Sequence, residues 1–145
     1  MANSLTFTSG SFLQATLATA STALNTKFDI LNADTTYTRR IYGVSVTNTL
    51  PATAEVVKFH LTSATTSVAY QIYTLNVPAT SGNSTTAAAV DAMGSVYAAS
   101  LFTKQRDANG VPYFNIPPNW KMQAEINQTL TSATMSFLVF GETYA

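Results

Sequence analysis

Asn119-Trp120-Lys121-Met122-Gln123-Ala124-Glu125-Ile126-Asn127 is the stretch that decides the fold. Trp120, Met122, Ala124 and Ile126 alternate with Lys121, Gln123, Glu125 and Asn127. A period of two, with one apolar and one wet face, is the mark of a half-buried antiparallel strand. Upstream lies the turn signal Asp107-Ala108-Asn109-Gly110, and downstream a second strand-like run from Thr134 to Gly141. The C-terminal third therefore reads as strands laid side by side.

The rest of the chain repeats this pattern in short pieces. Leu5/Phe7 and Leu13/Ala15/Leu17 alternate with polar neighbours on either side of Ser9-Gly10-Ser11. Lys27 to Leu31 is a brief apolar piece. Between Arg39 and Thr47 the alternation places Tyr42, Val44 and Val46 on one face, with the small Gly43 and Ser45 opposite. Val57, Phe59 and Leu61 alternate with Lys58, His60 and Thr62. In the run that follows, Val68, Tyr70 and Ile72 share one phase, while Leu75 and Val77 take the other. A phase switch inside one run predicts a β-bulge or a strand changing sheets. Tyr113 to Ile116 is a short strand stopped by Pro117-Pro118. The one departure is Ala87-Ala88-Ala89-Val90-Asp91-Ala92-Met93, whose propensity predicts a short helical insertion around residues 87–102. Many short strands with frequent turn signals predict an all-β, antiparallel β-sandwich of jelly-roll type, a single domain over residues 1–145.

Composition narrows the functional classes. The 145 residues contain no cysteine, which removes thiol chemistry and disulfides. Charged residues make up only 10% of the chain, against about 25% in an ordinary domain. Seven basic residues balance seven acidic ones, so no field steers the protein to nucleic acid or to an anionic membrane. A weakly charged surface is poorly protected against association, and it is read either as covered in an assembly or as solubilised by hydroxyls. Met1 to Ser4 carries no charge, and neither a cleavable leader nor a membrane-length apolar run follows, so use without export is expected.

Catalytic and metal motifs are absent from the sequence. His60 is the single histidine and is expected on the outer face of its strand. Asp107, Asn109 and Gly110 lack the further ligands of a calcium loop and read as a turn. The acids are scattered singly. Arg39-Arg40 is too small a basic cluster for nucleic acid and is expected to pair with acids. Tyr70 and Tyr73 fall on opposite faces of one strand, leaving one available to stack on a sugar, and Trp120 is expected in the core. No enzyme activity, cofactor or metal is expected.

In the C-terminal half, Val77-Pro78-Ala79-Thr80-Ser81-Gly82 leads into Val90-Asp91-Ala92-Met93. Then come Arg106-Asp107-Ala108-Asn109-Gly110, Pro118-Asn119-Trp120-Lys121, and a Gly141-Glu142-Thr143-Tyr144 ending. Over residues 70–145 this order of features resembles small β-sandwich proteins encoded among the head genes of tailed bacteriophages, the capsid decoration or cement proteins. The resemblance implies a structural virion protein, made in the host cytoplasm. It would sit on the capsid surface, bind the assembled shell of major capsid protein, and associate as a homo-oligomer, a trimer first. The alternative is a carbohydrate- or receptor-binding module. The interface residues expected are Leu5, Phe7, Phe12 and Leu13, together with Gly43 and Ser45, and residues 1–17 read either as an N-terminal arm that pairs with a neighbour or as an ordinary first strand of the same sandwich.

Overall fold

The computed structural model describes residues 12–84, 87–92 and 105–144. Nine strands lie among them: β1 Phe12–Ala18, β2 Phe28–Leu31, β3 Thr38–Asn48, β4 Glu55–Ser63, β5 Ala69–Val77, β6 Val90–Asp91, β7 Phe114–Ile116, β8 Trp120–Ile126 and β9 Met135–Tyr144. The chain doubles back about the turn between β4 and β5. β4 pairs with β5, β3 with β6 and β7, β2 with β8, and β1 with β9, every pair antiparallel. Rolling this long hairpin adds two further ladders, β3 to β9 and β4 to β8. Two sheets result, β1-β9-β3-β6 with β7 also on β3 (sheet A), and β2-β8-β4-β5 (sheet B). That winding is a jelly roll, so the protein is an antiparallel β-sandwich.

The core lies between the sheets. From sheet A it receives Ile41, Val44, Val46, Met135, Phe137 and Val139, and from sheet B Val57, Phe59, Met122, Ala124 and Ile126, each at 0% exposure. Phe59 stacks on Tyr73 with ring centroids 4.6 Å apart, and Phe28 meets Phe137 edge-on at 5.5 Å. Met122, Ala124 and Ile126 thus occupy the side their alternation assigned to them. Trp120 does not enter this core fully. It is half-buried at the rim, with the exposed Tyr70 against it at 6.0 Å. Buried polar groups fasten the ends. Glu55, fully buried, accepts the N–H groups of Asn127 and Gln128 at 2.7 and 3.2 Å. The Arg39 guanidinium donates to the carbonyls of Asn32 and Trp120, tying β3 to sheet B across the sandwich edge.

Two of the four register shifts in the ladders of the described residues, and one short strand, change what the simple alternation predicts. Between β4 and β5 the register shifts so that Ile72 is the extra residue, which accounts for the phase switch read in that run. Between β3 and β9 the pairing jumps from Ile41 opposite Gly141 to Gly43 opposite Phe140, leaving Tyr42 as the extra residue. Tyr42 therefore does not share the core face of Val44 and Val46. Ile41 takes that place, and the Tyr42 ring lies against Tyr113 with its hydroxyl 3.4 Å from Glu142. The helix expected from residue 87 is also overturned over residues 87–92. Val90 and Asp91 instead pair with Val46 and Ser45, Ala92 N–H donates to the Val44 carbonyl, and Gly82 N–H to that of Ala87. Hydrogen bonds offered by the edge of β3 outweigh the helix propensity of alanine. Residues 93–102 of that expectation lie outside the described residues.

Gly141 marks the tightest point of the β3–β9 ladder, because a Cβ there would sit 2.2 Å from the Arg40 carbonyl oxygen. At Gly43 a Cβ would meet nothing nearer than Asp91 Oδ1 at 4.0 Å. Gly141→Ala should therefore lower stability by about 1–3 kcal/mol, and Gly43→Ala should change it by less than about 0.5 kcal/mol. Urea melts of the two variants check this, and equal losses would contradict the assigned register.

Candidate interaction surface

The two outer faces of the sandwich differ in chemistry. On sheet A, residues opposite one another across the strands form three rows. Phe12 faces Phe140, which faces Gly43. Ala15 faces Leu138, which faces Ser45, which faces Asp91. Leu17 faces Ser136, which faces Thr47. Only Asp91 carries charge in these rows. Phe12 and Leu17 are 50% and 60% exposed, and Leu138 and Phe140 are partly buried beside them. A groove of about 320 Å³ runs alongside, lined by Val44, Ser45, Ala89, Asp91 and Phe140. A face carrying exposed large apolar side chains in adjacent rows, with a single charge among them, is the kind of surface that meets a partner. Phe12, Gly43 and Ser45 of the sequence-predicted interface are brought together here. Leu13 is not among them, since the register shift between Phe12 and Gln14 turns it toward the core rim. Leu5 and Phe7, with the rest of residues 1–11 of the expected arm, lie outside the described residues. Leu17 was expected only as the end of the arm, and Leu138 and Phe140 were not singled out in the sequence, although the alternation Ser136-Phe137-Leu138-Val139-Phe140 holds a signal: apolar residues occupy both phases.

The outer face of sheet B is a lattice of charges and amides. Asp29, Gln123, His60 and Gln71 stand in one row, and Glu125, Lys58 and Thr74 in the next. Lys58 Nζ donates to Glu125 Oε1 at 2.9 Å, Lys121 reaches Asp29 at 2.9 Å, and Gln123 Nε2 donates to Asp29 Oδ1 at 2.6 Å. His60 was expected to be exposed and is only 6% so, because Gln71, Gln123 and Glu125 close around it. Its Nε2 lies 3.3 Å from Glu125 Oε2, too poorly aligned for a hydrogen bond. Burial holds the His60 pKa below the ordinary value, against the opposing pull of Glu125. The Lys58 hydrogen bond, first among several causes, lowers that of Glu125.

The remaining sequence candidates serve the fold. The bulge at Ile72 overturns the expectation that Tyr70 and Tyr73 lie on opposite faces: Tyr70 stands opposite Leu61 and Tyr73 opposite Phe59, so both are on the core side of sheet B, Tyr73 buried and Tyr70 57% exposed at the rim. Arg40 pairs with Glu142 at 3.4 Å and lies over the Tyr113 ring at 4.4 Å, while Arg39 serves carbonyls rather than an acid. Asp107 Oδ1 accepts from the N–H groups of Asn109 and Val111, closing the turn at Gly110, where φ is 78°. Among the described residues no group of three or more metal-ligating side chains converges.

The His60 environment carries a sign that can be worked out. Its folded pKa is depressed, so the unfolded chain binds the proton more readily. Stability is full above the unfolded value of about 6.5 and falls as pH drops through it. The melting temperature should therefore decline between about pH 7.5 and pH 5.5, and His60→Gln should flatten that slope whatever it does to the value at neutral pH. A variant with an unchanged slope would remove His60 as the source.

In comparison with known proteins, the chain matches no protein-family model, no curated protein and no solved structure.

Proposed function

We propose that this protein is a structural component of a bacteriophage particle that binds the outside of the assembled capsid through the outer face of sheet A. The observation that carries the reading is that face itself: rows of Phe12, Ala15, Leu17, Leu138 and Phe140 with small residues between them and a single charge at one end. The sequence resemblance to decoration proteins supplies the kind of partner, the shell of major capsid protein. The jelly roll is compatible with it, since that winding serves viral capsid and lectin domains alike, and fold alone does not decide between them.

In this reading the mechanism is mass action. A protein that binds only the closed shell stabilises it by RT ln(1 + [L]/Kd), about 2.7 kcal/mol per site at a hundredfold excess over Kd. A rigid sandwich suits the task because its contact rows are fixed by strand register, so little ordering opposes binding. Association as a trimer places three such faces around one point and multiplies the effect.

Leu17→Lys and Leu138→Lys test the reading directly. Each side chain points away from the core, so the melting temperature should stay within a few degrees. Binding to purified shells, measured by co-sedimentation, should weaken at least tenfold, which is about 1.4 kcal/mol. Unchanged binding by both variants would exclude this face, and wild-type protein that fails to bind any shell would exclude the function.

A further inference from the structure

We propose a second binding site, on the opposite sheet, for a sugar that bears a carboxylate. A groove of about 480 Å³ opens on the outer face of sheet B, where the end of β4, the β4–β5 turn, β8 and the segment before β2 meet. Its volume falls within the roughly 300–1,000 Å³ of small-molecule sites. Its chemistry differs from that of most such sites, whose walls are largely apolar. Thr26, Thr62, Ser67 and Gln123 line it with hydroxyl and amide groups, and Lys27 and Lys121 with ammonium groups. A lining that alternates donors with acceptors matches a ligand that does the same around a ring, which is a polyol.

The floor of the groove is already set. Thr62 Oγ1 donates to Gln123 Oε1 at 2.6 Å, and Gln123 Nε2 donates to Asp29 Oδ1 at 2.6 Å. Lys121 is held on Asp29 at 2.9 Å, which neutralises it in place. Groups fixed in this way lose little freedom when a ligand arrives. The rim is shaped by two non-glycine residues in the left-handed region, Asn25 at φ 51° and Ser67 at φ 58°. Strained backbone of this kind concentrates at ligand sites. Within the turn, Ser67 N–H donates to the Ser63 carbonyl and Ser63 N–H to that of Val68, which fixes the backbone from which the exposed Ser67 lines the groove.

Lys27 supplies the charge selectivity. It is exposed and makes no ion pair among the described residues, whereas the nearby Glu125 already holds Lys58 at 2.9 Å. With Lys121 cancelled by Asp29, the groove keeps one positive charge at its rim. A carboxylate on the sugar meets Lys27 while its hydroxyls meet Thr62, Ser67 and Gln123.

The test is an amide-detected NMR titration of the full chain with sodium glucuronate, glucose and sodium acetate. Glucuronate should give saturable shifts at Lys27, Ser67 and Gln123 with a Kd of about 1 mM or tighter. Glucose should bind at least tenfold more weakly, acetate should not saturate, and Lys27→Ala should weaken glucuronate at least tenfold while leaving the melt and shell binding unchanged. The site is overturned if glucuronate gives no saturable shifts there, if acetate binds as tightly as glucuronate, if glucose does, or if Lys27→Ala has no effect. Because the groove lies on the other sheet, none of these outcomes bears on the shell-binding face.

Discussion

The sandwich depends on the register in which β8 lies against β4. Val57, Phe59 and Leu61 stand opposite Ile126, Ala124 and Met122, and these six make the sheet B half of the core and its margin. In the same ladder Lys58, His60 and Thr62 stand opposite Glu125, Gln123 and Lys121. A slip of one residue would exchange the two sets. It would carry Lys121 and Glu125 into contact with Phe137 and Ile41, at several kcal/mol for each ion taken from water. This cost fixes the central pair, and the outer strands β2 and β5 take their register from it. Sheet A is then placed by Arg39, which bonds the carbonyls of Asn32 and Trp120 from the other side of the sandwich.

The same constraint separates the outer faces. Sheet B must solvate its outer face while its inner face is apolar, and it does so with paired charges that also bury His60. Sheet A carries one such pair, Arg40 with Glu142 toward its β7 end, and no charged lattice beyond it. Its strands β1 and β9 carry apolar residues in both phases, so satisfying the core leaves Leu17, Leu138 and Phe140 outside. A surface with few charges on one side and an ion-paired lattice on the other suits a protein that lies with one face against a partner and the other toward water. That asymmetry gives the proposed shell contact its direction.

Much of this was legible in the chain. Alternation at Met122, Ala124 and Ile126 and at Val57 and Phe59 locates strands because burial on one face imposes a period of two, while the alternation at Leu13 to Leu17 locates β1 although Ala15 and Leu17 face outward. The phase switch between Ile72 and Leu75 is the bulge opposite Phe59. What was hidden depends on pairing rather than on local pattern. Tyr42 was assigned to the wrong face because a bulge displaces it, and nothing in Arg39 to Thr47 announces an extra residue. Residues 87–92 read as helix because propensity sees alanines and not the free edge of β3. His60 read as exposed because its neighbours Gln71, Gln123 and Glu125 come from other strands. Of the face proposed to meet the shell, the sequence named Phe12, Gly43 and Ser45, yet their relation to Leu138 and Phe140 exists only once β9 lies between β1 and β3.

Hydrogen–deuterium exchange of the free and the shell-bound protein tests the central claim most directly, because it reads which face is covered without altering a residue. The account predicts slowed exchange in the peptides of β1 and β9, Phe12–Ala18 and Met135–Tyr144, with β4 and β8 unchanged. Protection confined to β4 and β8, or equal exchange in the two samples, would contradict it.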